Sequence, residues 1–145
     1  MATTIYNFND IKFVISHPSI GRYTADGAGL GSIKVTMATD RTKQDVAADG
    51  AVMVTKVEGR NGTIALDIQQ TSDLDQWLRK AYAYVDTAGA SEWAKFAITI
   101  RSSIMVELIN AYEVSFQILP ERPFEADGQH VTWSLMAALI DQKVA

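Results

Sequence analysis

The two histidines, His17 and His130, are the residues best suited to acid–base or metal chemistry, and they lie far apart in the chain. Neither has further ligands or an orienting partner at the local spacing that a metal site or a catalytic base requires. The chain has no cysteine, which excludes disulfides, zinc–thiolate sites and thiol catalysis. No serine lies in a G-x-S-x-G turn, so a hydrolase triad has no support. The sequence therefore predicts no catalytic residue, no metal site and no cofactor, and we do not expect an enzyme.

Two weaker motifs also have simple structural interpretations. The glycine-rich segment GAGLG at residues 27–31 lacks the G-x-G-x-x-G spacing of a nucleotide-binding loop, and a strand follows it where a helix is required. A flexible entry to a strand that starts near Ile33 is favoured instead. Asp40, Asp45 and Asp49 lack the order of a calcium-binding loop and its terminal glutamate. Neither motif indicates a bound ligand.

Length and composition indicate one ordinary globular domain. The chain has 145 residues, of which 48% are hydrophobic, and no linker or charge block divides it, so residues 1–145 are expected to form one domain. The formal net charge of −4 argues against a protein that binds a phosphate backbone through a basic face. No apolar run approaches the roughly 18 residues that span a bilayer. The polar N-terminal residues do not resemble a secretory signal, so folding in the cytoplasm is expected.

Period-two alternation of apolar and polar residues dominates the chain and predicts half-buried strands. The alternating segments are Ile11–Ile15, Ile33–Met37, Ile64–Ile68, Phe96–Ile100, Tyr112–Ile118 and Val131–Leu139. In the fifth segment, Tyr112, Val114, Phe116 and Ile118 are expected to share one face. The last segment is also compatible with a buried helix, because Met136, Ala137 and Ala138 interrupt the alternation.

One segment has helical periodicity. Its apolar residues recur at i, i+3, i+4, i+7, i+8 and i+11, which predicts a helix over about residues 72–87 with a single apolar stripe. Ser72 is at the position of an N-cap, and Asp73 and Asp75 place negative charge in the first turn. Gly89 is a suitable stop. The helix is expected to cover one side or one open end of the sheet.

A long hairpin over about residues 33–57 is predicted to fold back at Asp49–Gly50, since Asp-Gly is a favoured tight-turn pair. Near its tip the alternation fails, because residues 39–45 form a polar run that cannot be buried in a core. One interpretation is a solvated loop. The other is an arm that docks on a neighbouring subunit, with Val46, Val52, Met53 and Val54 as apolar anchors.

Several segments together resemble a known family. They are YNFNDIKFVI, GSIKVTM, QDVAADGAVM and VTKVEGRNGTIALDIQQTS, in this order and followed by the helix. This arrangement resembles the tail-tube proteins of contractile-tailed phages and of phage-derived particles. The resemblance covers roughly Ile5 to Leu78. Its most specific parts are the ADG turn, Lys56 and Arg60 after it, and the segment GTIALDIQQTS that leads into the helix. From Ser102 to Gly128 only the strand pattern matches.

The resemblance implies a mainly β fold with one α-helix, a β-sandwich or barrel of the tail-tube type with a long protruding hairpin. It implies homohexameric rings that stack into a tube, whose lumen holds the tape-measure protein and then conducts DNA. The implied partners are a tail terminator, a baseplate hub and, if the tail contracts, a sheath protein. Such a protein belongs to the virion tail, is assembled in the host cytoplasm and needs no membrane. The implied contacts between rings or subunits involve Asp40, Arg41, Lys43, Asp45, Val46, Asp49, Gly50, Val52 and Met53. The candidate lumen-facing residues are Asp67, Gln69, Glu113 and Gln117.

Two alternatives remain open from the sequence. The first is a tube protein of a bacterial contractile secretion or bacteriocin apparatus, which has the same fold in a different machine. The second is a monomeric ligand-binding β-barrel, which predicts an apolar interior cavity.

Overall fold

The computed structural model describes residues 2–25 and 29–144. The glycine-rich segment is therefore described only from Gly29 onward, and its residues 27 and 28 lie outside the described part. The strands and the helix follow in the order β1 Lys12–His17, β2 Gly21–Ala25, β3 Leu30–Met37, β4 Thr42–Val46, β5 Val52–Lys56, β6 Gly62–Gln69, α1 Asp73–Thr87, β7 Phe96–Ser102, β8 Glu107–Ile118 and β9 His130–Val144. Within the described residues the fold is thus mainly β with one α-helix, as predicted.

Seven strands form one antiparallel sheet in the order β2-β1-β7-β8-β9-β6-β3, and β4 and β5 form a separate two-stranded ribbon. The large sheet curls into a half-barrel. Ile33 on β3 and Ile100 on β7 line the same groove although three strands separate β3 from β7 in the sheet. The half-barrel is open, with β2 and β3 as its edges.

The two ends of the sheet differ in the segments that leave them. At the arm end, β3 ends at Met37 and β6 begins at Gly62, so the β4–β5 ribbon leaves the sheet there. At the loop end, β8 ends at Ile118 and β9 begins at His130, and residues 119–129 connect them.

The core lies between the concave face of the sheet and α1. The apolar stripe of α1 is buried on this face, together with alternate residues of β1, β6, β7, β8 and β9. Phe96, Phe116 and Trp133 form an aromatic cluster, with ring centroids 5.2 Å apart for the two phenylalanines and 5.5 Å for Phe116 and Trp133. Burial of each large apolar side chain contributes about 1.5–3 kcal/mol, so this face carries most of the fold's stabilisation.

The helix begins where the sequence predicted. The side chain of Ser72 accepts a hydrogen bond from the backbone N–H of Asp75 at 3.2 Å, which satisfies one of the free donors of the first turn. The helix then crosses the sheet at the loop end, from β6 to β1, where Tyr84 packs edge-on against His17 with ring centroids 6.0 Å apart. The arm end of the concave face is left uncovered by α1.

The C-terminal segment is a strand, and the alternative of a buried helix is wrong. In β9, Val131, Trp133, Leu135 and Ala137 are buried, whereas Met136 is exposed. The alternation continues as far as Ala137, because β9 is paired on both sides, with β6 and β8. The expected burial of Leu139 on the same face is wrong, since Leu139 is exposed and Ile140 is buried instead.

The expected alternation on β8 is wrong at both ends. Val114 and Phe116 are buried, but Tyr112 and Ile118 are exposed. Near Tyr112 the register with β7 shifts, and Glu113 has a positive φ of 53°, so two consecutive residues face away from the core. A second shift, in the pairing with β9, precedes Ile118. Such bulges insert one residue into one strand and change the face of everything beyond it.

Candidate assembly surfaces

The predicted hairpin is present, but it is divided into two parts. β3 and β6 form its base inside the large sheet, and β4 and β5 form its tip as a free ribbon, so two continuous strands over Ile33–Val57 are not formed. All ten residues of β4 and β5 are exposed. We call this ribbon, residues 42–56, the arm. Because it buries none of these side chains, the arm adds little to the stability of the isolated chain.

The turn of the arm differs in detail from the predicted Asp49–Gly50 pair. Ala47 accepts a hydrogen bond from the N–H of Gly50 at 2.9 Å and donates one to the carbonyl of Ala51 at 2.8 Å. Gly50 has a φ of 88°, whereas Asp49 is not among the residues with positive φ. Residues 48–50 therefore form a three-residue hairpin loop. Residues 47–50 make a β-turn, and Gly50 is the left-handed residue with which such loops end. The carboxylate of Asp49 accepts a hydrogen bond from the N–H of Ala51 at 3.0 Å and fixes the tip.

The two faces of the arm differ in chemistry. The register pairs Val46 with Val52 and Gln44 with Val54, so three valines share one face. Met53 pairs with Asp45 and lies on the other face, next to Lys43. Of the four expected anchors, the three valines therefore lie on one face of the arm and Met53 lies on the other. The valine face is an apolar surface that nothing in the described chain covers.

The base of the arm is held by short hydrogen bonds. The guanidinium of Arg41 donates to the carbonyl of Val57 at 2.7 Å, and the N–H of Val57 donates to the carbonyl of Arg41 at 2.9 Å. Thr39 donates to the side chain of Asn61 at 2.7 Å. Any side chain at Gly59 would meet Thr39 at 2.6 Å, so only glycine allows this close approach. These contacts set the direction in which the arm leaves the sheet.

The ion pairs at the base are exposed. Glu58 lies 3.6 Å from Arg41 and 3.3 Å from Lys56. Exposed pairs of this kind contribute little to stability, about 0–1 kcal/mol. Asp40, also predicted as a contact residue, lies in the link between β3 and β4.

The four predicted lumen-facing residues lie on strands and outside the core. Asp67 and Gln117 follow buried neighbours and lie on the sheet face opposite α1, and Gln69 lies at the exposed end of β6. Glu113 occupies the bulge of β8. The carboxylate of Asp67 lies 3.3 Å from Nδ1 of His130. Asp67, Gln69 and Gln117 thus share the sheet face opposite α1, and the orientation of all four residues towards a channel stays a prediction.

A buried charged cluster was not expected from the sequence. The carboxylate of Asp75 is fully buried, accepts hydrogen bonds from Arg122 at 2.9 and 3.1 Å and from Arg79 at 3.0 Å, and also accepts one from the indole N–H of Trp133 at 3.0 Å. Arg79 is four residues after Asp75 on α1, a spacing that the sequence does show. Arg122 and Trp133 are 47 and 58 residues away, so only the fold brings them together.

Both histidines contact neighbouring residues of their own fold. His17 is buried, with Nε2 3.0 Å from the carbonyl of Glu92, while its Nδ1 accepts from the N–H of Ser19 at 3.1 Å. Among the described residues, no three histidine, aspartate or glutamate side chains are grouped as metal ligands. In the same part of the chain, no helix has both the length and the apolar character needed to cross a membrane.

Comparison with known proteins identifies the family. The model of the family described as bacteriophage PhiTE tail tube protein matches residues 1–145. The chain belongs to this family of tail tube proteins. The resemblance found in the sequence is thereby confirmed, and its extent is the whole chain. No curated protein sequence matches the chain significantly.

Solved structures of contractile particles share the fold of this tail tube family member. A chain of the anti-feeding prophage baseplate superposes with a TM-score of 0.64 at 9% identity, covering 99% of this chain and 97% of the other. A chain of the PVC sheath–tube complex, from an extracellular contractile injection system in its extended state, gives 0.56 at 14% identity over 92% and 88%. The anti-feeding prophage cap gives 0.59 at 10% identity over 100% and 94%.

Family membership defines the class of function. The protein is a structural subunit of a tail tube, part of the tail of a phage or phage-like particle, and not an enzyme. The monomeric ligand-binding barrel loses its support, because the sheet is open and α1 with the aromatic cluster fills much of its concave face. The surfaces that matter are therefore those that contact other chains.

Proposed function

We propose that this tail tube protein forms homohexameric rings that stack into a continuous tube, whose channel holds the tape-measure protein and conducts DNA during ejection. The observation that carries the proposal is the arm, a two-stranded ribbon that projects beyond the sheet with an uncovered valine face. An isolated ribbon of this size is marginal in water. Docking on a neighbouring ring would bury its valines and pair its backbone edge.

The open half-barrel supports ring closure. Within the described residues, its edge strands β2 and β3 each pair with one neighbouring strand only, and natural proteins protect such edges or use them in assembly. A closed ring of identical subunits removes free edges by repetition of one heterologous contact. The sheet face opposite α1 carries Asp67, Gln69, Glu113 and Gln117 and suits a wetted channel wall. Acidic and neutral polar groups there would let DNA slide through transiently and without sequence preference.

The further partners follow from the same proposal. A tube needs a terminator and a baseplate hub at its two ends, and a sheath protein around it if the tail contracts. Solved structures with this fold come from a sheath–tube complex, a sheath/tube terminator complex and a baseplate, which favours such partners. Assembly would take place in the host cytoplasm, with no membrane involved.

A second candidate is the tube of a bacterial contractile injection or bacteriocin apparatus. It is favoured by the shared fold with the anti-feeding prophage and the PVC injection system. The phage tail has priority because the family match is to a phage tail tube protein and spans the whole chain. Neighbouring genes for head and portal proteins would decide for the phage, whereas effector genes without head genes would decide for the injection apparatus.

Electron microscopy of the purified protein tests the proposal directly. We expect six-fold rings and stacked tubes in negative stain, with their number increasing with protein concentration. A protein that remains monomeric at high concentration under every salt condition overturns the proposal.

A further inference from the structure

The sheet face opposite α1 differs in charge from the chain as a whole. The chain carries a formal net charge of −4, yet on this face of the large sheet the cations outnumber the carboxylates. The cations are Lys12, Arg22, Lys34, Arg101 and Lys143, and the carboxylates are Asp67, Asp141 and, in the bulge of β8, Glu113. The residues first predicted to face a lumen include no cation, so this positive excess was not expected from the sequence.

Three of these cations lie in one row across four neighbouring strands at the arm end. Lys12 on β1 is directly opposite Arg101 on β7. Arg101 is opposite Leu108 on β8, and Leu108 is opposite Lys143 on β9. Directly opposed residues of antiparallel strands share a face, and neighbouring strands are about 4.8 Å apart, so the row spans roughly 14 Å. We call Lys12, Arg101 and Lys143 the cation row.

Burial of the neighbouring residues fixes the face on which the cation row lies. Phe13 follows Lys12 and is buried in the core, and Ile100 precedes Arg101 and is buried there as well. Because successive side chains of a strand point to opposite faces, both cations lie on the face opposite α1. This is the face that carries Asp67 and that we propose as the channel wall.

Two members of the row have no ionic partner in their own chain. Within residues 2–25 and 29–144, neither Lys12 nor Arg101 forms an ion pair. The carboxylate beside them, Asp10, instead accepts hydrogen bonds from the hydroxyl groups of Ser102 and Ser103, at 2.7 and 2.5 Å. Like charges in directly opposed positions destabilise a sheet. An anion from outside the chain would remove this repulsion.

The third member of the row is also accessible to an anion. Lys143 lies 3.1 Å from Asp141, and both side chains are exposed by more than a third. Such exposed pairs contribute little, about 0–1 kcal/mol, so a phosphate can replace this contact at small cost. Between the cations the row contains only Leu108, which adds no group that would read a base.

We propose that the cation row contacts the phosphate backbone of DNA as it passes along the channel wall. Duplex DNA carries one negative charge per about 1.7 Å of its axis, so a row of roughly 14 Å meets several phosphates whatever the base sequence. Six copies in one ring would repeat the row at the same height of the channel. This contact rests on the proposed tube and assigns the residues that touch its nucleic acid.

The contact is weak by construction. Its cations are exposed, so salt screens them, and Asp67 and Glu113 on the same subunit repel the same phosphates. Proteins that bind DNA without sequence preference have dissociation constants of about 10⁻⁴ to 10⁻⁶ M at physiological salt, and three exposed cations give a weaker contact than that. DNA would thus stay close to the wall without being held there.

A matched pair of variants tests this contact. Arg101→Gln and Lys80→Gln each remove one exposed positive charge, the first from the cation row and the second from the outer surface of α1. Binding of a short fluorescent DNA duplex is measured by anisotropy, with the protein kept below the concentration at which it assembles. We expect Arg101→Gln to weaken binding about tenfold at low salt and to reduce the slope of log affinity against log salt by about 0.9. Lys80→Gln should leave that slope unchanged.

Lys12→Gln is the second variant of the row and should behave like Arg101→Gln. Both variants relieve the repulsion between opposed cations, so neither should lower the melting temperature. Equal binding by the Arg101→Gln and Lys80→Gln proteins overturns the contact with DNA but leaves the tube standing. Loss of tubes in Arg101→Gln with unchanged duplex binding also overturns it, because the row would then face a carboxylate of another subunit. Duplex binding through the row in a protein that never forms tubes supports the contact and contradicts the tube.

Discussion

Asp75 and Trp133 are joined in the interior of the protein, where the indole N–H donates to the carboxylate at a distance of 3.0 Å. Trp133 of β9 belongs to the aromatic cluster with Phe96 and Phe116, and Asp75 belongs to the first turn of α1. The same carboxylate binds Arg122 of the loop between β8 and β9. One side chain therefore connects the helix, the core of the sheet and the loop between β8 and β9.

Asp75→Asn should destabilise the protein by about 2 kcal/mol, because it removes the charge that two arginines face and leaves buried donors poorly satisfied. The measurement is denaturant unfolding followed by tryptophan fluorescence. Asp73→Asn is the matched control, since Asp73 is exposed in the same helical turn and its loss should cost less than about 1 kcal/mol. Equal losses for both variants would mean that the buried cluster does not contribute.

Replacement of the arm, residues 42–56, by a short Asn-Gly turn should leave the body folded and abolish tube formation. Arg41 and Val57 are already hydrogen-bonded to each other, so the cut joins two adjacent backbone positions. All the strand residues removed are exposed, and the melting temperature should change little. Electron microscopy and light scattering measure the assembly. Long tubes formed by the shortened protein would show that the arm does not connect rings.

The two faces of the arm allow a finer comparison. Val46→Asp places a charge on the valine face, and Thr55→Asp places the same charge on the opposite face, next to Lys43. If the valine face docks on a neighbour, Val46→Asp should raise the concentration required for assembly by about tenfold or more, whereas Thr55→Asp should have a much smaller effect. Equal sensitivity of the two variants in a sedimentation assay would contradict a one-sided contact.

The sequence predicted the elements of this fold better than their details. Local signals were sufficient for α1, because a helical stripe and an N-cap lie within one short segment, and for the exposed arm, because a polar run cannot form a core. The exposure of Tyr112 and Ile118 could not be predicted, since bulges depend on how β8 pairs with β7 and β9. The division of the hairpin into a base and a free arm likewise depends on β9, which pairs with β6 and not with β5.

The candidate surfaces, too, could be predicted from the sequence only in part. The residues of the arm could be named from the sequence, but the separation of Met53 from the three valines required the strand register.

Asp10 should make a pH-dependent contribution to stability. Hydrogen bonds from the side chains of Ser103 and Ser102 and from the N–H of Ile104 lower the pKa of its carboxyl group from 3.8 to about 2. Since the folded pKa lies below the unfolded value, the stabilisation is complete above about pH 4 and is lost as the pH falls towards 2.

The comparison of wild type with Asp10→Asn measures this contribution. The difference in the free energy of unfolding between the two proteins should be constant from neutral pH to about pH 5 and should become smaller below about pH 4. Hydrogen exchange of the Ile104 amide gives a local measurement of the same effect. A difference that does not change with pH would mean that the substitution acts through shape and not through the charge.

The channel wall can be located by the accessibility of single cysteines in assembled tubes. Gln117 is exposed on the sheet face opposite α1, whereas Lys80 is exposed on the helix. If that sheet face lines the channel, Gln117→Cys in tubes should react with a small maleimide and be protected from a bulky polymer-linked maleimide. Lys80→Cys should react with both, and both reagents should label either variant in dissociated protein, which controls for intrinsic reactivity. Labelling of Gln117→Cys by the bulky reagent along intact tubes would place this face, with Asp67 and Glu113, outside the channel.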